Sequence, residues 1–252
     1  MFNSKDFTFN GVSNDSFVDY DLWLVDLNSD ILNSRGSIYS RTLTRETESV
    51  YNPVYTESID DTEEVILNFT VVDKHGQLIP WDNAKIKEFT DLFITDDFMP
   101  FISQDNPDYI YYFMTTKINR KFTSDNKGVM EVTFKPFSNF AYKKETYNYN
   151  ISSSKTITIN NPSKYKYKPV IKIENLGDES TINKVNELEV TGLNNRDIVH
   201  IDNLMLTCID ENNINRFNCI NRKWIELEPG NNTLSLDGNY NLTITCEYPV
   251  NL

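Results

Sequence analysis

The sequence predicts a mainly β protein with two domains: an α+β domain with one helix on a β-sheet or barrel, followed by a β-sandwich. Aromatic residues make up 13% of the chain, and glycine accounts for only 8 of 252 residues. Aromatic and β-branched side chains favour strands because they pack well on a pleated surface. In many short segments apolar and polar residues alternate, which is the period of a half-buried strand. A chain of this length buries roughly 70–75% of its unfolded surface, enough for one large core or two modest ones.

The predicted first domain, residues 1–141, consists mainly of strands. The clearest strand has four apolar residues on one face: Val65, Leu67, Phe69 and Val71. Gly76 closes the turn after it. The segments 109–114 and 129–136 have the same period. Large side chains lie on both faces of the first of them, so we expect it to be covered on both sides. Pro136 ends the second, because proline cannot donate to a ladder.

One helix is predicted over residues 82–95. Asp82 is a suitable N-cap, since its carboxylate can accept from a backbone N–H of the first turn. Four apolar residues at helical spacing form one stripe: Ile86, Phe89, Leu92 and Phe93. We expect the helix to end near Thr95, and Pro100 and Pro107 to mark the turns that follow.

The composition changes at residues 142–172, where a Ser and Asn cluster and Pro162 indicate a domain boundary. Short alternating strands with turns between them predict a sandwich over residues 142–252. The last two strands have clear apolar faces, formed by Leu234 and Leu236 in one and by Leu242, Ile244, Cys246 and Tyr248 in the other. Turn residues precede and separate them, at 229–230 and 237–239, so we expect a hairpin at the sandwich edge.

The net charge of −13 argues against a protein that grips nucleic acid by its phosphates, which needs clustered Lys and Arg. The chain shows no signal peptide and no apolar run long enough for a membrane span. Three cysteines in such a chain are expected to be reduced and packed: Cys208, Cys219 and Cys246. We therefore expect synthesis in a cytoplasm and no membrane partner.

No pattern of reactive residues indicates catalysis or metal binding. His75 and His200 are the only histidines, and no Cys or His pair has zinc spacing. The glycine-rich and nucleophile motifs of acyl, phosphoryl and dinucleotide chemistry are missing. The adjacent acids at 60–61 and 96–97 are typical of solvated surface, and 124–128 is expected to be a turn and not a calcium loop. We predict no catalytic, cofactor-binding or metal-binding residues, no cofactor and no enzyme.

A lysine-rich stretch stands out in the acidic chain: Lys143, Lys144, Lys155, Lys164, Lys166, Lys168 and Lys172. Tyr165 and Tyr167 alternate with the lysines at 164–168, so a strand there would have lysines on one face and tyrosines on the other. Three interpretations remain open. The stretch binds single-stranded nucleic acid, it is an edge strand protected by lysine, or it contacts an acidic patch such as 57–64 of a neighbouring subunit.

Several short motifs follow one another in a fixed order. The first domain has Phe-Thr-Phe-Asn-Gly at 7–11, Trp81 before the helix, Tyr111–Tyr112 in a strand, and Lys-Pro-Phe-Ser-Asn-Phe-Ala-Tyr at 135–142. The second domain has motifs at 168–177, 198–213 and 224–236, the last with the frame Leu227, Pro229, Gly230, Asn232 and Leu234. This order resembles the distal tail protein (Dit) family of long-tailed bacteriophages over nearly the whole chain.

The resemblance implies a virion structural protein of the tail tip or baseplate hub, assembled in the host cytoplasm. Six copies would form a ring through the N-terminal domains, with galectin-like C-terminal sandwiches outside it. The ring would join the tail tube protein to a tail fibre or tail-associated lysin, and in some phages it anchors receptor-binding proteins. DNA would pass through the hole without specific binding.

Two other function classes remain as alternatives. A carbohydrate-binding sandwich acting on cell-surface glycans would stack sugar on aromatic side chains, for which Trp224 and the tyrosines at 165–167 are candidates. A glycoside hydrolase would need two correctly separated carboxylates.

Overall fold

The computed structural model describes residues 4–27, 41–45, 55–59 and 64–250. The predicted mainly β class is confirmed, with 52% strand and 7% helix among these residues. The chain divides between Ala141 and Tyr142 into two compact units, which we call the N-terminal and the C-terminal unit. In the described ranges, no helix is long and apolar enough to cross a membrane.

The N-terminal unit contains one α-helix among its described residues. Its elements are β1 (Phe7–Phe9), β2 (Val12–Ser13), β3 (Asp21–Val25), β4 (Arg41–Arg45), β5 (Tyr55–Ile59), β6 (Val65–Val72), α1 (Asn83–Phe93), β7 (Met99–Ser103), β8 (Tyr109–Phe122) and β9 (Gly128–Pro136). Seven strands pair antiparallel in the order β3-β6-β9-β8-β7-β1-β2, and β4 pairs with β5. The strands predicted around 65–71, 109–114 and 129–136 are β6, β8 and β9.

The helix α1 supplies aromatic side chains to the core of this unit. Asp82 caps it, accepting from the Lys85 N–H at 2.9 Å as predicted. Phe89 and Phe93 are buried. The helix ends at Phe93, two residues before the predicted end, because Ile94 takes an extended backbone conformation and is 64% exposed.

β8 differs from the prediction on its second face. Tyr111 and Phe113 are buried, whereas the opposite face, with Ile110, Tyr112 and Met114, is only partly covered. The side chains on the two faces of β8 are equally large, so their size does not predict which face is buried.

The structure explains the Phe-Thr-Phe-Asn-Gly motif. Phe7 and Phe9 are fully buried, and Phe9 stacks on Phe93 at 4.9 Å between ring centroids. Asn10 and Gly11 join β1 to β2 with φ values of 50° and 77°, the conformation of a two-residue hairpin that Asn-Gly adopts readily. The motif therefore anchors the first strand and makes the chain turn immediately after it.

The C-terminal unit is a sandwich of two sheets around one core. Its elements are β10 (Ala141–Ile151), β11 (Lys155–Asn161), β12 (Val170–Asn175), β13 (Asn183–Val185), β14 (Leu188–Val190), β15 (Ile198–Asp202), β16 (Thr207–Asp210), a 3-10 helix (Phe217–Cys219), β17 (Gly230–Asp237) and β18 (Tyr240–Val250). One sheet has the order β16-β15-β12-β18-β10 and the other β11-β17-β13-β14. The inward side chains of both sheets form a common apolar cluster.

The predicted C-terminal hairpin is wrong, although both strands exist. β17 pairs with β11 and β13, while β18 pairs with β12, so the two strands belong to opposite sheets. The turn at Gly238 therefore connects the two layers of the sandwich. Gly238 has φ 126°, and a Cβ added there would lie 2.5 Å from the Asn183 Oδ1 atom. Alternation identifies the buried face of a strand but not its neighbour.

Two buried asparagines join the turns at this end of the sandwich. Asn175 donates from Nδ2 to the Leu193 carbonyl at 2.6 Å, and its Oδ1 accepts from Asn183 Nδ2 at 2.9 Å. Asn183 Oδ1 accepts in turn from the Asn239 N–H at 3.0 Å. Asn175 and Asn183 are each 1% exposed, so the network is shielded from water.

The Pro-Gly-x-Asn motif is a turn closed by a side chain. Asn232 Oδ1 accepts from the Glu228 N–H at 2.8 Å, and Nδ2 donates to the Glu228 and Gly230 carbonyls at 2.7 and 2.9 Å. Gly230 supplies a φ of 87°. The motif thus fixes how the chain enters β17.

Replacing Asn232 with alanine should lower the free energy of unfolding by about 1.5 kcal/mol, because three hydrogen bonds that close the turn are lost. Urea unfolding measures the change. The exposed neighbour Asn231 provides the control, and Asn231→Ala should stay within about 0.5 kcal/mol of the natural chain. Equal effects of the two substitutions would contradict this role for Asn232.

Candidate interaction surfaces

The lysine-rich stretch does not form the strand that its alternation allowed. Residues 164–168 lie in a bend between β11 and β12, with one bridge between Tyr167 and Leu227. Lys166 lies 3.0 Å from Glu226 and 2.6 Å from Glu228. These two carboxylates, with Glu228 contributing most, raise the pKa of Lys166 above its usual value.

Other lysines of the stretch also have partners within their own chain. Lys143 pairs with Glu145 at 3.1 Å, and Lys144 lies 3.8 Å from Glu247. With Lys166, three of the seven lysines thus have a carboxylate partner, which disfavours a continuous basic track for nucleic acid. The acidic patch proposed as their partner in a neighbouring subunit, 57–64, lies almost entirely outside the residues whose side chains are described.

Of the aromatic side chains considered for sugar stacking, Tyr167 and Trp224 are engaged in packing, whereas Tyr165 is 50% exposed. The Tyr167 ring lies 5.0 Å from Tyr248, and its hydroxyl accepts from the Glu247 N–H at 2.7 Å. Burial raises the pKa of Tyr167 to about 12. Trp224 is half-buried and meets Phe217 edge to face at 6.2 Å. A sugar could not stack on Tyr167 without displacing its contact with Tyr248.

The three cysteines are buried and form no disulfide, as predicted. Burial raises the pKa of Cys208 to about 12 and that of Cys246 to about 11, so these thiols stay protonated and unreactive at neutral pH.

The histidines and paired acids lie apart. His75 is in the turn after β6, and His200 is on β15, opposite Lys172 and Ile209. Asp96 and Asp97 are exposed, and the other pair, at 60–61, lies outside the described residues. Where the structure describes the chain, no group of three His, Cys, Asp or Glu is placed to hold a metal ion. Residues 124–128 form the predicted turn, with Asn126 at φ 59°.

The most exposed apolar sequence in the C-terminal unit is the loop between β15 and β16. Leu204, Met205 and Leu206 are 67%, 69% and 46% exposed. Asp202 Oδ1 holds the loop by accepting from the Leu204 and Met205 N–H groups at 2.8 and 2.9 Å. Consecutive exposed apolar residues on a fixed loop are typical of an interaction surface.

Asn203 fastens this loop to the sandwich. Its side chain is fully buried, donates to the Pro169 carbonyl at 2.6 Å and accepts from the Ile225 N–H at 2.7 Å. Leu206 closes the loop with φ 55°, which is unfavourable for a branched side chain. The sequence does not indicate this loop, because the apolar tripeptide 204–206 is equally compatible with a strand.

A cavity of about 310 Å³ lies beside the same hairpin, and its lining includes His200, Asp202, Ile209 and Glu211. Asp210 forms part of its wall and organises the following loop, accepting from the Asn212 and Ile214 N–H groups and from Arg216 Nε at 2.9 Å. The Ile214 N–H is the largest of the causes that lower the pKa of Asp210.

The N-terminal unit has its own exposed apolar side chains beyond the helix. Phe137 is 61% exposed and meets Phe98 edge to face at 5.3 Å. Ile94 lies in the same short connection as Phe98, between α1 and β7. Neither Ile94 nor Phe137 belongs to the buried cluster of its unit.

The chain is similar to phage tail proteins both in sequence and in fold. The family described as "Phage tail protein N-terminal domain" matches residues 2–138. The crystal structure of the Dit protein of phage SPP1, a paradigm of the hub adsorption apparatus in phages that infect Gram-positive bacteria, is similar at a TM-score of 0.60. The two are 16% identical, and the match covers 97% of this chain and 98% of that one.

Chains of the phage P2 baseplate in its activated conformation, with Ca and with Sr, are also similar. Each has a TM-score of 0.47 and 11% identity, over 90% of this chain and 97% of the other. No curated protein matches the sequence.

Proposed function

We propose that this chain, which belongs to the phage tail protein N-terminal domain family, is a structural adaptor of the tail tip. Six copies form a ring through their N-terminal units. The ring joins the tail tube protein to a tail fibre or tail-associated lysin, and it offers receptor-binding proteins an attachment. It is assembled in the host cytoplasm and has no enzymatic role.

The resemblance to distal tail proteins is confirmed by the family match and by the shared fold. The observation that carries the proposal is the extent of this fold. The match covers nearly all of this chain and nearly all of the SPP1 protein, so both units have a counterpart there. We extend to this chain the hub role of that protein.

The distribution of charge supports a ring through which DNA slides. Residues 1–141 carry 12 basic and 23 acidic side chains, a net charge of −11, whereas residues 142–252 carry 12 and 14, a net charge of −2. The proposed ring-forming part thus holds most of the negative charge. Acidic side chains along the hole would repel phosphates and leave DNA without a binding partner.

The exposed apolar residues supply surfaces for the proposed contacts. In the N-terminal unit, Ile94 and Phe137 are available to a neighbouring copy in the ring. In the C-terminal unit, Leu204 and Met205 project from a fixed loop and are available to another tail protein. A head-to-tail ring needs two different complementary patches on each copy, of which Ile94 and Phe137 would form one.

Negative-stain electron microscopy of the purified chain tests the proposal. We expect six-fold ring particles with a central hole. A glycan array on the same sample tests the carbohydrate-binding alternative, and the adaptor predicts no binding. Single compact particles that bind a defined glycan would overturn the proposed function.

A further inference from the structure

The second sheet of the C-terminal unit ends in a strand with an open edge. β11 is the last strand in the order β11-β17-β13-β14, and it pairs with β17 over seven residues, from Lys155↔Leu236 to Asn161↔Gly230. Among the residues that the structure describes, no strand pairs with its other side. Peptide N–H and C=O groups along such an edge can pair with another chain.

β11 lacks the features that normally prevent this pairing. Charged residues, proline, bulges or short length protect most edge strands. The strand reads Lys-Thr-Ile-Thr-Ile-Asn-Asn, so its single charge is at the first position and it contains neither proline nor glycine. Its register with β17 is regular throughout. Thr156, Thr158 and Asn160 are exposed on the outer face, while Ile157 and Ile159 are buried.

Two other end strands of the sandwich are covered by their own chain. β14 receives a backbone bond from Asn221 N to the Glu189 carbonyl at 3.2 Å, and the 3-10 segment follows alongside. β16 receives one from Arg216 N to the Cys208 carbonyl at 2.8 Å. The open edge of β11 therefore differs from the edges of β14 and β16.

We propose that β11 pairs with β11 of a second copy of this chain, antiparallel and centred on Thr158. In this register Thr158 meets Thr158, Ile157 meets Ile159, and Thr156 meets Asn160. Lys155 meets Asn161, so no like charges face each other. The apolar and polar faces continue across the contact, and two four-stranded sheets become one of eight strands.

The self-complementary register is the reason to choose a second copy as the partner. A contact in which residue i meets j and j meets i has two-fold symmetry. The proposed ring contact is heterologous, so the β11 contact is a separate interface. It joins copies that are not ring neighbours, and it goes beyond the adaptor role.

Cysteine substitution tests both the contact and its register. In an antiparallel pair the Cα atoms of facing residues lie about 4.5–5.5 Å apart, which is within the range that a disulfide spans. The natural cysteines are buried, so a new surface thiol reacts without competition. Thr158→Cys should yield, after mild oxidation, a covalent dimer of twice 29.4 kDa on a non-reducing gel.

Two matched controls are available. Thr156→Cys lies on the same strand but faces Asn160 in the proposed register. Thr233→Cys lies beside Thr158 in the sheet, exposed on the same face, but on the inner strand β17. We expect at least tenfold more dimer from Thr158→Cys than from either control. Equal amounts from Thr158→Cys and either control would overturn the proposal.

A charge on the edge provides an independent readout. Thr158→Lys should place two lysines face to face and reduce two-copy association at least tenfold in sedimentation, whereas Thr233→Lys should leave it unchanged. Unchanged association of Thr158→Lys would also overturn the β11 contact. Because the disulfide joins only two chains, its yield can be read whether or not rings form.

Discussion

Replacing Phe93 with alanine is expected to lower the free energy of unfolding of the N-terminal unit by about 4 kcal/mol, the usual cost of emptying a buried phenylalanine site. Phe93 is fully buried at the centre of an aromatic cluster. Its ring centroid lies 4.9 Å from Phe9, 4.7 Å from Phe69 and 4.5 Å from Phe89. The substitution removes the contact that joins α1 to β1 and β6, so the loss should reach the whole unit.

Hydrogen exchange, measured on peptides from each unit, can assign this loss. Protection should fall in peptides of the N-terminal unit and stay unchanged in those of the C-terminal unit, which has its own core. Asp96→Ala is the control, since Asp96 lies three residues after Phe93 but is exposed, and its effect should be within about 0.5 kcal/mol. If Asp96→Ala were as damaging as Phe93→Ala, the packing described for α1 would be wrong.

Replacing Asn175 with alanine is expected to destabilise the C-terminal unit by about 3 kcal/mol, because buried polar groups lose their partners. The Leu193 carbonyl loses its 2.6 Å donor, and Asn183 Nδ2 loses its acceptor. Asn183 also orients the turn between the two sheets through the Asn239 N–H. The defect should therefore spread to the connection between β17 and β18.

Asn239→Ala is the matched control for this network. Asn239 contributes its backbone N–H to Asn183, so the substitution keeps that hydrogen bond. We expect urea unfolding to show a change within about 0.5 kcal/mol for Asn239→Ala. A comparable loss in both variants would mean that the asparagine side chains are not what holds these turns.

The strands and helix with strong periodicity could be predicted from the sequence. Alternation at 65–71 and helical spacing at 86–93 reflect which side chains face a core, and both elements are present. The periodicity of a strand does not indicate which strands pair with it. For this reason the sequence did not reveal that β17 and β18 belong to opposite sheets, or that β11 is an open edge.

Polar contacts between residues far apart in the chain could not be predicted from the sequence either. The alternation at 164–168 allows Lys166 to lie in a basic strand, but its partners Glu226 and Glu228 are about sixty residues away. Nothing in the sequence distinguishes Asn175 and Asn203 from other asparagines. Their buried side chains donate to carbonyl groups of distant residues, which only the fold brings near them. Pro229 and Gly230 predict a turn, but the role of Asn232 in closing it follows only from its hydrogen bonds in the structure.

The ring is the central claim, and the mass of the purified chain in solution tests it most directly. Light scattering at low and at high salt should give six times 29.4 kDa, about 176 kDa, or a multiple of that mass where β11 edges join two or more rings. Apolar contacts through Ile94 and Phe137 should keep this mass at high salt, since screening weakens only charged contacts. A mass of 29.4 kDa at every protein concentration, and also in the presence of tail tube protein, would contradict the ring.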